Sequence, residues 1–199
     1  MKTSSYFSQE KVVLLEKYVD LLKKYQTKFN LIGKSTISNI WERHIIDSAQ
    51  IYKLLPKEKN NSFLIDVGTG AGFPGLILAI MGRKDVCLCE KSFRKAAFLK
   101  EVKDICNIKT SVINKRIEDI RNKNCGVIVS RAFSPLMKLV MSTMHLISKD
   151  TVLILHKGKR HKEEIEEAKK FFSFTLNLYD SITSQEARIL RITNIRKGI

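Results

Sequence analysis

The spacing of apolar residues along the first 60 positions is helical. Apolar side chains recur every three or four residues over about 8–25 and again over about 36–55, which predicts two amphipathic helices. Ser8 is a suitable N-cap for the first helix, and Pro56 ends the second. The segment PKEKNNS that follows is polar and predicts a linker.

From Phe63 onward the pattern changes to short apolar runs that alternate with helical segments. The runs that predict strands are FLIDV (63–67), DVCLCE (85–90), TSVIN (110–114), GVIVS (126–130), TVLILHK (151–157), FTLNLYD (174–180) and ARILRITNI (187–195). The predicted helices lie at 74–81, 92–105, 135–147 and 162–172, with a short helical turn at 117–119.

Five alternations of strand and helix predict a parallel sheet with helices on both faces. Only SITSQE (181–186) separates the last two strands, which is too short for a crossover helix, so these strands are predicted to pair antiparallel. The expected fold class is α/β: a Rossmann-like, seven-stranded, mostly parallel sheet with an antiparallel last strand. An N-terminal helical appendage (1–60) precedes the main domain (61–199) and packs with it as one unit. This arrangement resembles the class I methyltransferases that use S-adenosylmethionine.

The turn IDVGTGAGFPG (65–75) contains four glycines and follows the first strand of the sheet. Framed from Gly68 it is G-x-G-x-G, typical of methyl-donor sites, and framed from Gly70 it is the dinucleotide pattern G-x-G-x-x-G. The strand ends at about Val67, so the first framing starts at once, whereas the second puts Pro74 where helix N–H groups would face a pyrophosphate. We therefore expect Gly68 and Gly70 to bind S-adenosylmethionine, with a purely structural turn as the alternative.

Acidic and apolar residues follow the second and third strands. Glu90 ends the second strand about twenty residues after the turn, where a carboxylate accepts hydrogen bonds from ribose hydroxyls. The alternative is an ordinary acidic residue at the end of a strand. Ile117 and Glu118 follow the third strand, at the position that faces adenine in this fold. A plain helix start with acids in its first turn explains them equally well.

The loop SRAFSP (130–135) follows the fourth strand, where such enzymes usually carry their chemistry. It has no Asn- or Asp-Pro-Pro-aromatic motif for amine methylation, and Cys125 lies at the wrong end of its strand to be a nucleophile. We expect an acceptor that needs neither deprotonation nor covalent attack, such as guanine N7, and therefore no catalytic general base. Arg131 would position donor or substrate; a surface ion pair is the alternative.

The composition adds a partner to this picture. The chain has 199 residues and a net charge of +16, from 36 basic and 20 acidic side chains. Such an excess suggests a nucleic acid before a membrane, although a lysine-rich bias with no partner is the alternative. No run of about 18 apolar residues and no signal peptide is evident, so we expect a cytoplasmic protein, acting as a monomer.

The four cysteines lack metal-ligand spacing, so we expect buried thiols and no metal.

The sequence resembles the glucose-inhibited division protein B family over nearly its whole length. The resemblance rests on FNLIGK (29–34), ERHIIDS (42–48), FLIDVGTGAGFPGLILAI (63–80), RKAAFLKEV (94–102), VSRAFSP (129–135) and LHKGK (155–159). It implies S-adenosylmethionine as methyl donor and N7 of a guanine in 16S ribosomal RNA of the small subunit as acceptor. It also implies donor contacts at Gly68, Phe73, Ile117, Glu118 and Arg131.

Two polar clusters leave alternatives open. His44 and Asp47 lie three apart on a predicted helix, beside Arg43, and therefore share a face. They form either an RNA-facing cluster or, as we favour, a hydrogen-bonded joint between appendage and sheet. The run KGKRHK (157–162) either contacts phosphates or is a solvated charge run.

Two other functions suit the same fold. One is a methyltransferase for a protein or a small molecule. The other is a non-catalytic RNA-binding or assembly protein.

Overall fold

The computed structural model describes residues 6–121 and 124–198. Within these residues seven strands form one sheet in the order β3-β2-β1-β4-β5-β7-β6. The strands are β1 (Phe63–Val67), β2 (Val86–Cys89), β3 (Ser111–Ile113), β4 (Cys125–Arg131), β5 (Val152–Lys157), β6 (Phe172–Asp180) and β7 (Arg188–Lys197). Each lies where the apolar runs predict a strand, with ends that differ by at most two residues.

The predicted fold class is confirmed. Strands β1 to β5 pair in parallel, and β7 lies antiparallel between β5 and β6. The order of the strands reverses between β1 and β4. Ligands of open α/β sheets bind outside the carboxyl ends of the strands at such a reversal, which places the glycine turn after β1 at the expected site.

The helices are α1 (Gln9–Gln26), α2 (Asp47–Ala49), α3 (Gly75–Ile80), α4 (Phe93–Ile105), α5 (Leu136–Thr143) and α6 (His161–Lys169). The predicted helix over 36–55 is right in extent but wrong in regularity, because 3₁₀, π-helical and α-helical turns follow one another from Lys34 to Leu54. Side chains compete with the helical ladder there. Ser48 donates to the carbonyl of His44, and His44 itself bonds to Thr36.

The core has two layers, one on each face of the sheet. Along β1, Leu64 belongs to the layer that includes the appendage, and Ile65 and Val67 belong to the layer under α5 and α6. Tyr18 of α1 is fully buried in the first layer. The boundary at residues 60/61 stays a prediction, and residues 1–5, 122–123 and 199 of the two predicted domains lie outside the described residues.

Candidate functional site

Asp66 at the end of β1 fixes both ends of the glycine turn. Its Oδ2 accepts hydrogen bonds from the hydroxyl of Thr69 (2.5 Å) and the backbone N–H of Gly75 (2.7 Å). A Cβ at Gly75 would lie 2.6 Å from Leu88 and 2.7 Å from Asp66, so only glycine fits there. Burial raises the pKa of Asp66 to about 7. Its Oδ1 has no hydrogen-bond partner within the part of the chain that the structure describes.

These bonds decide between the two framings of the turn. A pyrophosphate at a helix N-terminus needs free backbone N–H groups. The N–H of Gly75, the first residue of α3, is committed to Asp66, and that of Leu76 donates to the carbonyl of Gly72. The turn therefore lacks these donors for a dinucleotide, whereas a nucleoside without phosphate does not need them.

Glu90 closes the open side of the turn. Its Oε2 accepts from the N–H of Gly70 (3.0 Å) and its Oε1 from the N–H of Ser92 (2.8 Å), and the residue is 6% exposed. A carboxylate has about four acceptor positions, so Glu90 keeps capacity for ligand hydroxyls. Gly70 has φ +61°, and a Cβ there would meet only the Gly68 carbonyl, at 3.9 Å, so bare backbone faces open space.

A cavity of about 360 Å³ lies beside the turn, at the carboxyl ends of β1, β2 and β4. Four of the predicted donor-binding residues line it: Gly68, Glu90, Ile117 and Glu118. Ile117 is buried and gives the cavity an apolar wall. The volume lies within the usual range for small-molecule sites. We call this space the smaller cavity.

Phe133 packs directly on the turn, and the sequence analysis did not single it out. A Cβ at Gly68, where φ is +67°, would come 2.3 Å from the Cδ2 atom of the Phe133 ring. The glycine at 68 is thus required by the backbone and by this ring together. The sequence signal that could have identified Phe133 is its position in the loop after β4.

A second cavity, of about 590 Å³, lies on the other side of segment 132–134, which lines both. We call it the larger cavity. Arg131 faces it and is held by three acceptors of the appendage. Its Nη2 donates to His44 Nδ1 (2.6 Å), and its Nη1 donates to the Arg43 carbonyl (2.8 Å) and to Asp47 Oδ2 (3.2 Å).

The contact with Arg131 fixes the tautomer of His44. A guanidinium only donates, so Nδ1 of His44 accepts, and Nε2 carries the proton and donates to the hydroxyl of Thr36 (2.8 Å). Burial, and then the charge of Arg131, lower the pKa of His44 to about 4.

Phe73 lies behind the turn and faces the appendage. Its ring stacks on His44 with centroids 4.9 Å apart, and the Cζ atom of Arg131 lies 4.9 Å from its centroid. Tyr18 meets its edge at 5.8 Å and donates its hydroxyl to the carbonyl of Ala71 (2.8 Å). Phe73 and Arg131 thus contact each other and not the smaller cavity, and their role in donor binding stays a prediction.

Asp47 joins the appendage to the far end of the sheet. Its Oδ1 accepts from the hydroxyl of Thr183 (2.6 Å), and its carbonyl accepts from Nε2 of His156 (2.8 Å). The predicted joint around His44 and Asp47 is confirmed. His156 is not among the residues predicted from the sequence, although a histidine near the end of the wholly buried strand β5 is a signal.

The basic run 157–162 is divided in the structure. Lys157 is buried, pairs with Glu164 (2.7 Å) and donates to the carbonyl of Ser134 (2.7 Å). For this residue, both the predicted phosphate contact and the predicted solvated position are therefore wrong. Because Lys157 is the buried last residue of β5, its ammonium needs polar partners. Lys159, by contrast, is exposed and lines the larger cavity.

All four cysteines are free and buried, as expected from their spacing. Among residues 6–121 and 124–198, no group of three or more His, Cys, Asp or Glu side chains could hold a metal ion. In the same residues, no helix has the length and apolar character needed to cross a membrane.

A family model and a curated relative both match nearly the whole chain. The family model GidB, described as rRNA small subunit methyltransferase G, matches residues 11–192. The ribosomal RNA small subunit methyltransferase G of Paramagnetospirillum magneticum is 37% identical over 197 residues, which cover 98% of this chain and 95% of that protein.

Two solved structures share the fold at low identity. The ribosomal protein L11 methylase from Lactobacillus delbrueckii subsp. bulgaricus matches with a TM-score of 0.60 and 18% identity, over 75% of this chain and 76% of that one. A variant of MtNAS in complex with S-adenosylmethionine matches with a TM-score of 0.62 and 14% identity, over 92% and 77%. From the family model and the relative together, the chain belongs to the GidB family of rRNA small subunit methyltransferases G.

Proposed function

We propose that this protein transfers a methyl group from S-adenosylmethionine to N7 of a guanine in 16S ribosomal RNA of the small subunit. The observation that carries the proposal is the pair of cavities that share segment 132–134. The smaller one suits a nucleoside donor, and the larger one has cationic walls that suit a nucleotide of RNA.

The smaller cavity fits the donor by its own chemistry. Glu90 retains acceptor positions for the ribose hydroxyls, Ile117 covers the adenine, and Glu118 lies beside it. Gly70 leaves bare backbone that faces open space, whereas the ring of Phe133 packs on Gly68. When bound there, S-adenosylmethionine supplies an electrophilic methyl group on its sulfonium.

Arg131 positions the acceptor side. Three of its N–H groups are committed to the appendage, which fixes the plane of the guanidinium. A guanidinium has five N–H donors, so two remain for a ligand. Phe73 supports this plane from behind. Arg43 and Lys159 are exposed on the same wall, where they can contact phosphates.

We choose guanine N7 as the acceptor atom because its methylation needs no general base from the protein. The lone pair of N7 is free at neutral pH, so no proton has to be removed before it attacks. The residues around segment 132–134 then need only to orient the base and exclude water. No side chain acts as a general base in this scheme.

We further infer that the protein acts as a monomer in the cytoplasm, where small subunits are found. Sedimentation of the purified chain tests the oligomeric state. A stable dimer would contradict it.

Labelled donor tests the activity directly. The protein is incubated with S-adenosylmethionine carrying a labelled methyl group and with small subunits from a strain that lacks this methylation. We expect label at one guanine, as 7-methylguanosine. Label on a ribosomal protein would instead support the protein-methylating alternative, and absence of donor binding by calorimetry would support a non-catalytic RNA-binding role. Naked 16S RNA in a parallel reaction identifies the preferred form of the substrate.

A further inference from the structure

The mouth of the smaller cavity is strongly basic. Five cationic side chains line it, and we call them the cationic rim. None of them forms an ion pair within the described residues. They come from three separate segments: the start of α4, the stretch after β3, and α5. The rim consists of Lys91, Lys95, Lys115, Arg116 and Lys138.

The methyl donor does not explain this rim. S-adenosylmethionine carries a sulfonium and an ammonium against one carboxylate, so its net charge at neutral pH is positive. The acidic side chains of the same cavity are Glu90, which is buried, and Glu118. Five unpaired cations around a cationic ligand weaken its binding, whereas they suit an anionic molecule at the mouth of the cavity.

An exposed aromatic residue lies next to the rim in the sequence. Phe93, the first residue of α4, is 77% exposed, more than any other large hydrophobic side chain described. The buried face of α4 is formed instead by Ala96, Phe98 and Leu99. Lys91 and Lys95, two positions on either side of Phe93, both belong to the rim. An exposed aromatic ring near several cations is an arrangement on which proteins stack bases of single-stranded nucleic acid.

We propose that a single-stranded segment of ribosomal RNA crosses the mouth of the smaller cavity, with its phosphates on the cationic rim and one base stacked on Phe93. This rests on the proposed function, because it takes the smaller cavity as the donor site. The same strand then passes over segment 132–134 into the larger cavity. RNA in this position covers the donor, so the donor binds first.

The test uses a short fluorescein-labelled single-stranded RNA and fluorescence anisotropy. Phe93→Ala should weaken RNA binding by roughly tenfold, the loss typical of one stacked base. The matched control is Phe171→Ala, an exposed aromatic (53%) next to the beginning of β6, at the opposite edge of the sheet. This control should leave RNA binding unchanged, and both variants should keep the donor affinity and the melting temperature of the unmodified protein.

A double variant, Lys95→Ala with Lys115→Ala, tests the rim. The slope of log K against log salt should become shallower by about 0.7 for each phosphate that the variant no longer neutralises. Because two like charges are removed, donor affinity should stay equal or become tighter. Weaker donor binding would overturn the proposal, since the lysines would then serve the donor.

The order of binding gives a third measurement. Saturating RNA should slow the dissociation of bound donor in the unmodified protein, and Phe93→Ala should reduce this effect.

Failure of this inference is distinguishable from failure of the proposed function. Unchanged RNA affinity in Phe93→Ala, or equal losses in Phe93→Ala and Phe171→Ala, overturns the RNA path even if the unmodified protein still methylates small subunits. Tighter binding to anionic phospholipid vesicles than to RNA, without competition between them, overturns it as well. Absence of methylation by the unmodified protein overturns the proposed function instead.

Discussion

The two cavities at the carboxyl edge of the sheet are built in different ways. The smaller one depends on backbone: a glycine turn held by Asp66, with Glu90 bonded to the N–H of Gly70. The larger one depends on side chains that meet across 84 to 136 positions of sequence, around Arg131 and Asp47. Local backbone therefore defines the proposed donor site, whereas the appendage defines the proposed acceptor site.

The two regions also respond to pH in opposite directions. Asp66, under the smaller cavity, has a pKa raised to about 7, and His44, beside the larger one, has a pKa lowered to about 4. Between pH 4 and 6.5 the contributions of Asp66 and His44 to stability oppose each other. The two contributions therefore cancel in the pH dependence of the unmodified protein's stability. Variants that remove one group at a time expose the other.

The largest effect on donor binding is expected from Gly68→Val. Its side chain would collide with Phe133 and would need φ +67°, which costs a non-glycine residue about 1–2 kcal/mol. We expect donor affinity to fall by roughly 100-fold or more, measured by calorimetric titration, because the displaced ring enters the smaller cavity.

The matched control for this variant is Gly158→Ala in the wall of the larger cavity, where an added Cβ meets nothing within 4 Å. It should bind the donor normally. Unchanged donor affinity in Gly68→Val would mean that the donor binds elsewhere.

The next effect is expected from Asp66→Asn. In the folded protein Asp66 keeps its proton up to about pH 7, whereas in the unfolded chain Asp66 loses its proton near pH 4. The contribution of Asp66 to stability is therefore complete below pH 4 and is lost as the pH rises to 7. At about 1.4 kcal/mol per pKa unit, the unmodified protein should lose about 3–4 kcal/mol relative to the variant over this range. Urea unfolding at several pH values measures it. A constant difference between the two proteins would contradict the raised pKa.

The third effect, of opposite sign, is expected from His44→Asn. Folded His44 stays neutral down to about pH 4, whereas the unfolded chain binds a proton near pH 6.5, so stability is lost as pH falls through this window. Relative to the variant, the unmodified protein should lose about 2–3 kcal/mol on acidification. The same unfolding series measures it, and loss of stability toward higher pH would contradict the tautomer deduced from Arg131.

The smallest effect is expected from Arg131→Lys, which tests whether Arg131 serves the donor site or the acceptor site. An ammonium cannot reproduce the fork that reaches His44, Asp47 and the Arg43 carbonyl, so unfolding free energy should fall by about 1–2 kcal/mol. If Arg131 serves the acceptor, KM for RNA rises and donor affinity stays constant. Weaker donor binding with an unchanged KM for RNA would place Arg131 at the donor site, as the family resemblance implies.

The sequence predicts the fold, and it predicts that four candidate residues lie together at one cavity, for one physical reason. Strand ends and glycine turns follow from local periodicity and backbone conformation, so Gly68, Glu90, Ile117 and Glu118 come together as expected. Phe73 was assigned by resemblance alone, and its ring faces the appendage instead of the smaller cavity.

Contacts between distant side chains are not visible in any periodic pattern. The bond from Thr183 to Asp47 joins residues 136 positions apart, and Lys157 is buried although it belongs to a run of charges. The packing of Phe133 on Gly68 likewise depends on how two loops approach each other. Only the folded chain shows these contacts.

The hydroxyl of Tyr18 ties the first helix to the carbonyl of Ala71, at the rear of the turn that is proposed to receive the donor. The sheet is therefore not an interchangeable module to which an independent helical extension has been added. Grafting another protein's N-terminal extension onto this chain would remove this brace from the proposed donor site, so the first helix and the glycine turn have to change together.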